Sequence, residues 1–166
     1  MQQFLVENWG NLASVAGLLV SIGALFFARS AAETAKLVRQ EMRRYSLYDY
    51  LALLVARFQG FLLMIRLAKW ESAQLRADDL SASLSLVVAK WKNVLDIESK
   101  NRLDNAKNLL RKIIMKLNES EHGGPGEETK RDLLISADLA LEQIISAQGQ
   151  ISQDIETSGV DYERQG

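Results

Sequence analysis

The chain has 166 residues and a formal net charge of −1, and it contains no cysteine. The lack of cysteine excludes disulfide frameworks, zinc ribbons and thiol catalysis, and the length allows one compact domain plus an anchor. A single proline interrupts a sequence rich in leucine, alanine, lysine, arginine and glutamate, which are strong helix formers. The sequence has no alternating apolar and polar stretch of strand type, so we expect an all-α protein.

The first element is an uncharged segment of 21 residues, from 8 to 28, with Glu7 before it and Arg29 after it. As an α-helix rising about 1.5 Å per residue it spans roughly 31 Å, the thickness of a bilayer's hydrocarbon core. Residues 9–28 are therefore predicted to form a transmembrane helix after an extracytoplasmic leader, residues 1–8. A cleaved signal peptide is disfavoured because the leader has no lysine or arginine. A buried core helix is disfavoured because such helices rarely run this far without a charge.

Basic residues follow the predicted span, and none precedes it. They are Arg29, Lys36, Arg39, Arg43 and Arg44. Because positive charge is retained on the cytoplasmic side, we expect the N-terminus outside a bacterial inner membrane and residues 29–166 in the cytoplasm. The basic residues can also contact anionic lipid headgroups, although a stop-transfer flank explains them without such a role. Residues 118–166 carry 11 acidic and 3 basic side chains, so we expect this end to be held away from the membrane.

Small residues recur on one face of the predicted span and of the basic juxtamembrane helix, residues 29–46. They alternate by four and three residues and are Gly10, Ser14, Gly17, Ser21, Ala24, Ala28, Ala31 and Ala35. We call these eight residues the seam, and the spacing continues through Val38, Met42 and Tyr45. Small faces let helices approach closely in a bilayer, so the seam predicts a parallel homo-oligomer extended by a short coiled coil. The alternative is a seam that packs against later helices of the same chain, or against nothing.

The N-terminal layout resembles that of small bacterial single-pass membrane proteins. The residues that carry the resemblance are Trp9-Gly10-Asn11, Ala13-Ser14-Val15, Gly17, Ser21 and the alanine-rich basic stretch 28–44. Some proteins of this kind are encoded near phage-defence or prophage genes, so the resemblance implies a role at a bacterial membrane. It covers the first 45 residues and transfers no active-site residue and no ligand.

After a break near Tyr45, the next predicted helix covers residues 47–70 and is apolar on two faces. One face carries Leu51, Leu54, Val55, Phe58, Leu62 and Ile65, and the other carries Leu53, Met64 and Leu67. Such a helix is expected at the buried centre of the body. The alternative is a second membrane span, which would put Arg57 near mid-bilayer at a cost of about 2.5–3.5 kcal/mol. It would also place the rest of the chain on the opposite side.

Three more amphipathic helices are predicted. Their apolar stripes lie within residues 80–95, 103–117 and 133–151. Asp78 or Asp79 is the expected N-cap of the first of them, and a break near residues 97–99 separates it from the second. Residues 118–129, with the sequence NESEHGGPGEET, are predicted to be a loop.

Four amphipathic helices with short connections predict an antiparallel cytoplasmic bundle over residues 47–156. A looser three-helix unit, made of the pair before the glycine-rich loop and the helix after it, is the alternative. Residues 157–166 are polar and are predicted to be a flexible tail.

No group of residues in the sequence predicts a catalytic, cofactor or metal site. His122 is the only histidine, and its glycine-rich loop does not hold further metal ligands around it. Ser81, Ser83 and Ser85 have no histidine partner for nucleophilic catalysis. We therefore expect neither an enzyme nor a cofactor.

Basic residues between positions 90 and 116 are the one candidate ligand surface of the body. They are Lys90, Lys92, Lys100, Arg102, Lys107, Arg111, Lys112 and Lys116. If gathered on one side, they could bind a nucleotide, a nucleic acid or phospholipid. Acidic residues lie among them, which favours an ordinary solvated face. Trp91 is expected in the core rather than on a base-stacking surface.

Two functions are compatible with these patterns. The first is a non-enzymatic single-pass membrane protein that self-associates through its anchor and presents the bundle to an unidentified cytoplasmic protein. The second is a membrane-perturbing effector of a bacterial defence or toxin-like system, in which a signal on the bundle rearranges the seam.

Overall fold

A computed structural model describes the backbone of residues 2–120 and 124–163 and the burial of residues 14–120 and 124–157. This part of the chain is helical, without a strand, and confirms the all-α prediction. Its helices are α1 (Gln2–Arg66), α2 (Trp70–Lys90), α3 (Ile97–Asn118) and α4 (Glu127–Glu163). The chain divides into two compact units, Met1–Glu41 and Met42–Gly166.

The first unit contains the N-terminal part of α1. Residues 14–40 are exposed, apart from the half-exposed Gly23. The helix contains one apolar window long enough to cross a membrane, the only such case among the residues searched. By length and composition this helix could therefore cross a membrane, and the bounds 9–28 stay a prediction.

The second unit is built on a seven-residue repeat in each of its four helices. The buried positions alternate by four and three residues and are 47, 51, 54, 58, 61 and 65 in α1; 73, 77, 80, 84 and 87 in α2, with 91 just after it; 99, 103, 106, 110, 113 and 117 in α3; and 133, 137, 140, 144, 147 and 151 in α4. Leu62 and Leu95 are also buried. A repeat of 3.5 residues is the pattern of coiled-coil packing. The predicted stripes within residues 80–95 and 103–117 are confirmed. Of the stripe predicted within 133–151, Leu133, Ala137, Ile144 and Ile151 are buried, whereas Ile145 is 47% exposed.

Contacts at the two ends of the second unit define an antiparallel order. Tyr50 of α1 packs on Trp91, which follows α2, with 5.2 Å between ring centroids. At the other end, Gln74 Nε2 donates to Asn118 Oδ1 at 2.5 Å, and Lys116 Nζ lies 2.8 Å from Asp132 Oδ2. Successive helices therefore run up, down, up and down, as in a four-helix bundle. The three-helix alternative is wrong because α1 contributes to the same core.

Large and small residues share the core of the bundle. Phe58 and Phe61 of α1 are fully buried in the same core as alanines of the other helices. These alanines are Ala77 of α2 and Ala137 and Ala140 of α4, all fully buried. The two phenyl rings meet edge to face, with centroids 5.6 Å apart, a favourable aromatic geometry. A core that combines bulky and small side chains can fill its interior without overpacking.

The predicted break near Tyr45 is wrong, because α1 is one helix from Gln2 to Arg66. Residues 24–59 contain neither glycine nor proline, so nothing in this stretch stops a helix. The alternative of a second membrane span is also wrong, since it needs a turn before residue 47 and the helix has none. One face of residues 47–65 is instead buried in the bundle.

The prediction that residues 47–70 are buried on both apolar faces is also wrong. Leu51, Leu54 and Phe58 are buried, whereas Leu53 and Leu67 are about half exposed. The core covers only one side of α1, because α1 is one of four equivalent helices around the core rather than its centre.

Helix α1 ends in a Schellman motif that the sequence did not reveal. Ala68 has a positive φ of 54°, its backbone N–H donates to Ile65 O, and the Lys69 N–H donates to Met64 O, both at 3.0 Å. This left-handed residue is most often glycine. Because alanine is not a helix-stop signal, the end of α1 was predicted four residues late.

Helix α2 begins directly after this turn, at Trp70. The predicted N-cap at Asp78 or Asp79 is therefore wrong, and both residues are exposed inside the helix. Ala73 and Ala77 are fully buried, but alanines in a polar stretch do not stand out as core residues. The first two turns of α2 were missed for that reason.

Helix α3 begins at Ile97, so residues 97–99, where a break was predicted, lie in its first turn. Asp96 is its N-cap, and its carboxylate accepts hydrogen bonds from the N–H groups of Glu98 and Ser99, at 3.2 and 3.0 Å. Burial by itself would raise the pKa of the Asp96 carboxyl, but hydrogen bonds from Ser99 and Glu98 outweigh it and lower that pKa. The cap fixes where α3 begins.

Helix α4 starts at Glu127, inside the predicted loop, and its helical backbone continues to Glu163, past the predicted start of the tail at 157. The flexibility of residues 157–166 stays a prediction. Ile151 of α4 is buried at the same end of the bundle as Leu47 of α1. The expectation that the acidic end is held away from the membrane stays a prediction.

Candidate functional site

Large apolar side chains are exposed on all sides of α1 between residues 15 and 27. They are Val15, Leu18, Leu19, Val20, Ile22, Leu25, Phe26 and Phe27. Phe27 is 81% exposed, and apolar patches of this extent on a soluble surface mark interaction or membrane sites. This segment is the first candidate functional surface.

The described residues of the seam are all exposed, from Ser14 to Ala35. Packing of the seam against later helices of the same chain stays an alternative prediction. A Cβ placed on Gly17 meets no atom within 4 Å, so the space beside it is open. The Ser21 hydroxyl donates to Gly17 O at 2.8 Å, which satisfies it within its own helix. The burial of Gly10 lies outside the described residues.

The basic residues after the span lie on a solvated helix surface. Arg29 Nε is 3.6 Å from Glu33 Oε1, and both side chains are largely exposed, so the pair adds little stability. Lys36, Arg39 and Arg43 are exposed, and Arg44 is half-buried. These residues form a positively charged flank rather than a closed pocket.

The structure does not gather the basic residues of 90–116 into one site. Arg102 pairs with Glu98 at 2.6 Å, Lys107 with Asp104 at 3.9 Å, and Lys116 with Asp132 at 2.8 Å. Sixteen residues separate Lys100 from Lys116, about 24 Å along α3.

Lys90, the first of the basic residues between positions 90 and 116, lies beside Trp91, with its Nζ 4.2 Å from the ring centroid. Trp91 itself is only 4% exposed, which confirms its place in the core. Binding of a nucleotide or nucleic acid by the basic residues stays a prediction without structural support.

The other candidate residues form no reaction centre in the part of the chain that the structure describes. The Ser85 hydroxyl donates to Ser81 O at 2.9 Å, an ordinary contact within a helix. No group of three or more potential metal ligands occurs among the residues searched, and His122 lies outside the described residues.

The structure also reveals a glycine contact that the sequence did not indicate. Gly124 has a φ of +86°, and a Cβ placed on it would overlap the indole of Trp70. The chain between α3 and α4 therefore packs directly on the start of α2. The cleft of about 710 Å³ beside this contact is open and includes Lys69, Glu71 and Ser120.

A second apolar surface runs along the part of α1 that lies in the bundle. Leu53, Ala56, Gly60, Leu63 and Leu67 are exposed or half-exposed on the side away from the core. The sequence contains the signal, since these residues alternate by three and four. The signal was missed because both apolar faces of this helix were assigned to the core.

Comparison with known proteins identifies no relative: no protein-family model, no curated protein and no solved structure matches the chain. The candidate surfaces are therefore interpreted from burial, charge and helix geometry. Two of them, the seam and the exposed face of α1 in the bundle, lie on the same helix.

Proposed function

We propose that the chain is a non-enzymatic single-pass membrane protein that self-associates through its anchor and presents a helical bundle for protein interaction. The observation that carries this proposal is the exposure of the apolar residues of 14–28 on a helix that continues into the bundle core. The bundle has its own core. A bilayer supplies the apolar surroundings that these side chains require.

The orientation follows from charge. Only the C-terminal side of the span carries a cluster of basic residues, among them Arg29, Lys36 and Arg39. Retention of positive charge places the N-terminus outside and the bundle in the cytoplasm of a bacterial cell. The same residues would lie at the level of the lipid headgroups.

Self-association is supported by the open space along the seam. The seam is exposed, and a side chain added at Gly17 meets nothing in the same chain. Two seams from parallel copies can therefore approach closely, which favours helix pairing in lipid. The bundles of both copies would then be held side by side.

Single cysteines test location and orientation, because the chain has none of its own. In intact cells, a membrane-impermeant thiol reagent should label Gln3→Cys. Ile97→Cys, at the exposed first residue of α3, should react with the reagent only after permeabilisation. Labelling of both sites in intact cells, or recovery of the chain in the soluble fraction, would contradict the proposal.

Leucine substitutions test the seam. Gly17→Leu should lower the oligomeric fraction in detergent, because a large side chain separates the two helices. Gly23→Leu is the matched control: Gly23 lies on another side of the helix, and its added Cβ also meets nothing. Equal effects of the two substitutions, or a monomeric parent chain, would reject self-association through the seam.

The membrane-perturbing effector is a second candidate, favoured by the unbroken course of α1 from the apolar segment into the bundle core. A ligand that binds the bundle could change the packing of the seam through this helix. Induced expression should then depolarise cells, and Gly17→Leu should abolish the effect while Gly23→Leu retains it. Cells that keep their membrane potential under all conditions would leave the first function in place and exclude the second.

A further inference from the structure

The proposed function uses the basic residues after the apolar segment only to orient the chain. Retention of positive charge depends on how many lysines and arginines follow a span, and not on the side of the helix that they occupy. In the first unit these residues are Arg29, Lys36 and Arg39, and all three are exposed. We call them the basic stripe, because they share one side of α1.

The sides of α1 follow from helical geometry, in which each residue is turned by about 100° from the one before it. Measured from Arg29, Lys36 lies at about −20° and Arg39 at about −80°. The acidic residues of the same stretch lie in the other direction, with Glu33 at about +40° and Glu41 at about +120°. Positive and negative charges are therefore separated around this part of the helix.

Two of the three cations in the basic stripe are not neutralised within the chain. Arg29 Nε lies 3.6 Å from Glu33 Oε1 in an exposed ion pair, which adds little stability. Lys36 and Arg39 have no hydrogen-bond or ion-pair partner among the residues that the structure describes. Their charges are therefore available to an anionic partner outside the chain.

The position of the basic stripe indicates which anionic partner it meets. Arg29 directly follows the uncharged segment, and Lys36 and Arg39 lie about 12 and 17 Å beyond Ala28 along the helix axis. The polar headgroup layer of a bilayer extends roughly 5–8 Å beyond its hydrocarbon core. The basic stripe therefore begins in this layer and continues just past it.

The direction of the side chains brings the remaining charges closer to the membrane. Side chains of an α-helix lean toward its N-terminus, which for the basic stripe is the side of the span. Long basic side chains extend their charged ends toward the membrane surface. The ends of Lys36 and Arg39 therefore come within about one Debye length of the headgroups, 8 Å at physiological ionic strength.

We propose that the basic stripe binds the headgroups of anionic phospholipids, with Lys36 and Arg39 as the main contacts. This inference rests on the proposed membrane span. Phosphate oxygens accept charge-assisted hydrogen bonds from ammonium and guanidinium groups. The negative surface potential of an anionic leaflet favours each nearby basic side chain by about fivefold, so the stripe distinguishes anionic lipids from zwitterionic ones.

Lipid binding by the basic stripe leaves the seam available. Arg29 and Lys36 lie about 80° or more around the helix from the seam residues Ala28, Ala31 and Ala35. The third member of the stripe borders the seam. A single chain and a chain paired through the seam therefore present the same two cations to the lipid, and binding does not depend on self-association.

Electron paramagnetic resonance of spin-labelled lipids tests this inference. The full-length chain is reconstituted in phosphatidylcholine vesicles that contain a trace of spin-labelled phosphatidylglycerol or of spin-labelled phosphatidylcholine. The association constant for phosphatidylglycerol should exceed that for phosphatidylcholine by about fivefold or more. In 1 M NaCl the ratio of the two constants should fall toward one, because the Debye length shortens to about 3 Å.

Charge substitutions assign the preference to particular residues. Lys36→Gln combined with Arg39→Gln should lower the ratio to less than about twofold, because each cation contributes about fivefold. Arg111→Gln combined with Lys112→Gln is the matched control, since it removes one arginine and one lysine from exposed positions of α3. Glu33→Gln should raise the ratio, because it removes the carboxylate beside Arg29.

The outcomes separate this inference from the proposed function. A chain that an alkaline carbonate wash removes from the vesicles would contradict the membrane span, and this inference with it. An inserted chain with equal association constants, or equal losses in the two double variants, would overturn lipid binding by the basic stripe and leave the span in place. Gly17→Leu should keep the ratio even where it abolishes self-association.

A nucleic acid is the other anionic partner that the same experiment detects. Equal association constants for the two lipids, together with binding of a short DNA duplex to the reconstituted chain at physiological salt, would assign the basic stripe to nucleic acid. That result would also overturn the inference. Circular dichroism checks that each variant keeps its helix content.

Discussion

At the scale of single residues, Ala68 holds a conformation that suits glycine better. Its positive φ of 54° lies in the left-handed region, where a Cβ costs about 1–2 kcal/mol. Ala68→Gly should raise the free energy of unfolding by about 0.5–1 kcal/mol, measured by urea denaturation in detergent. Ala82→Gly, at an exposed position inside α2, should lower it by about 1 kcal/mol. Destabilisation by both substitutions would contradict the Schellman assignment.

Gly124 has the opposite requirement. Its φ of +86° and the Trp70 indole beside it leave no room for a Cβ, so Gly124→Ala should lower the free energy of unfolding by about 1–3 kcal/mol. Gly149→Ala is the control, since an added Cβ there meets nothing and alanine is favoured in a helix by about 0.5–1 kcal/mol. Unchanged stability of Gly124→Ala would show that the chain before α4 does not pack on Trp70.

Asp96 contributes to the free energy of unfolding by an amount that depends on pH. Hydrogen bonds to its carboxylate lower its pKa below the ordinary value of 3.8, so the folded state favours the ionised form. The stabilisation is therefore complete above about pH 4 and is lost as the pH falls through the lowered pKa. Asp96→Ala should cost about 1 kcal/mol at neutral pH. Asp96→Asn should keep most of the cap and lose this acid dependence in denaturation measured from pH 7 to pH 3.

At the scale of the element, the C-terminal part of α1 contributes buried side chains to the core of the bundle. Its core residues, such as Leu54, are shared with the other bundle helices, and Leu54 is 1% exposed. Leu54→Ala should lower the free energy of unfolding by about 2–5 kcal/mol through the cavity it leaves. The same substitution at the exposed Leu75 should change it by about 0.5 kcal/mol or less. Similar losses in thermal unfolding would contradict the place of α1 in the core.

The helices also show which parts of the fold were predictable. The stripes around Leu84, Leu110 and Ile144 follow a helical period with polar residues between them, so their core faces were correctly predicted, except that Ile145 of α4 is exposed. Residues 47–67 are apolar on two faces, and periodicity alone does not decide which face is buried. Helix ends were predicted least well, because Ala68 and Lys69 are not typical stop or cap residues.

At the scale of the whole molecule, the two units should be separable. The fragment Met42–Gly166 contains the complete core and should fold without detergent as a monomeric helical bundle. Circular dichroism and light scattering at micromolar concentration measure both properties, with the full-length chain in detergent for comparison. An unfolded fragment would mean that the bundle needs the first unit to fold, and a stable dimer would contradict the prediction of a monomer.

The sequence by itself determined the helical class, the uncharged span, the side on which basic residues follow it and the seam. These features are local, because they depend on composition and on spacing along one helix. Only the tertiary structure decided that α1 is unbroken, that four helices share one core, and that Leu51 and Leu54 are buried while Leu53 and Leu63 are not. Burial depends on which other helices lie alongside, and the spacing of residues on one helix contains no information about its neighbours.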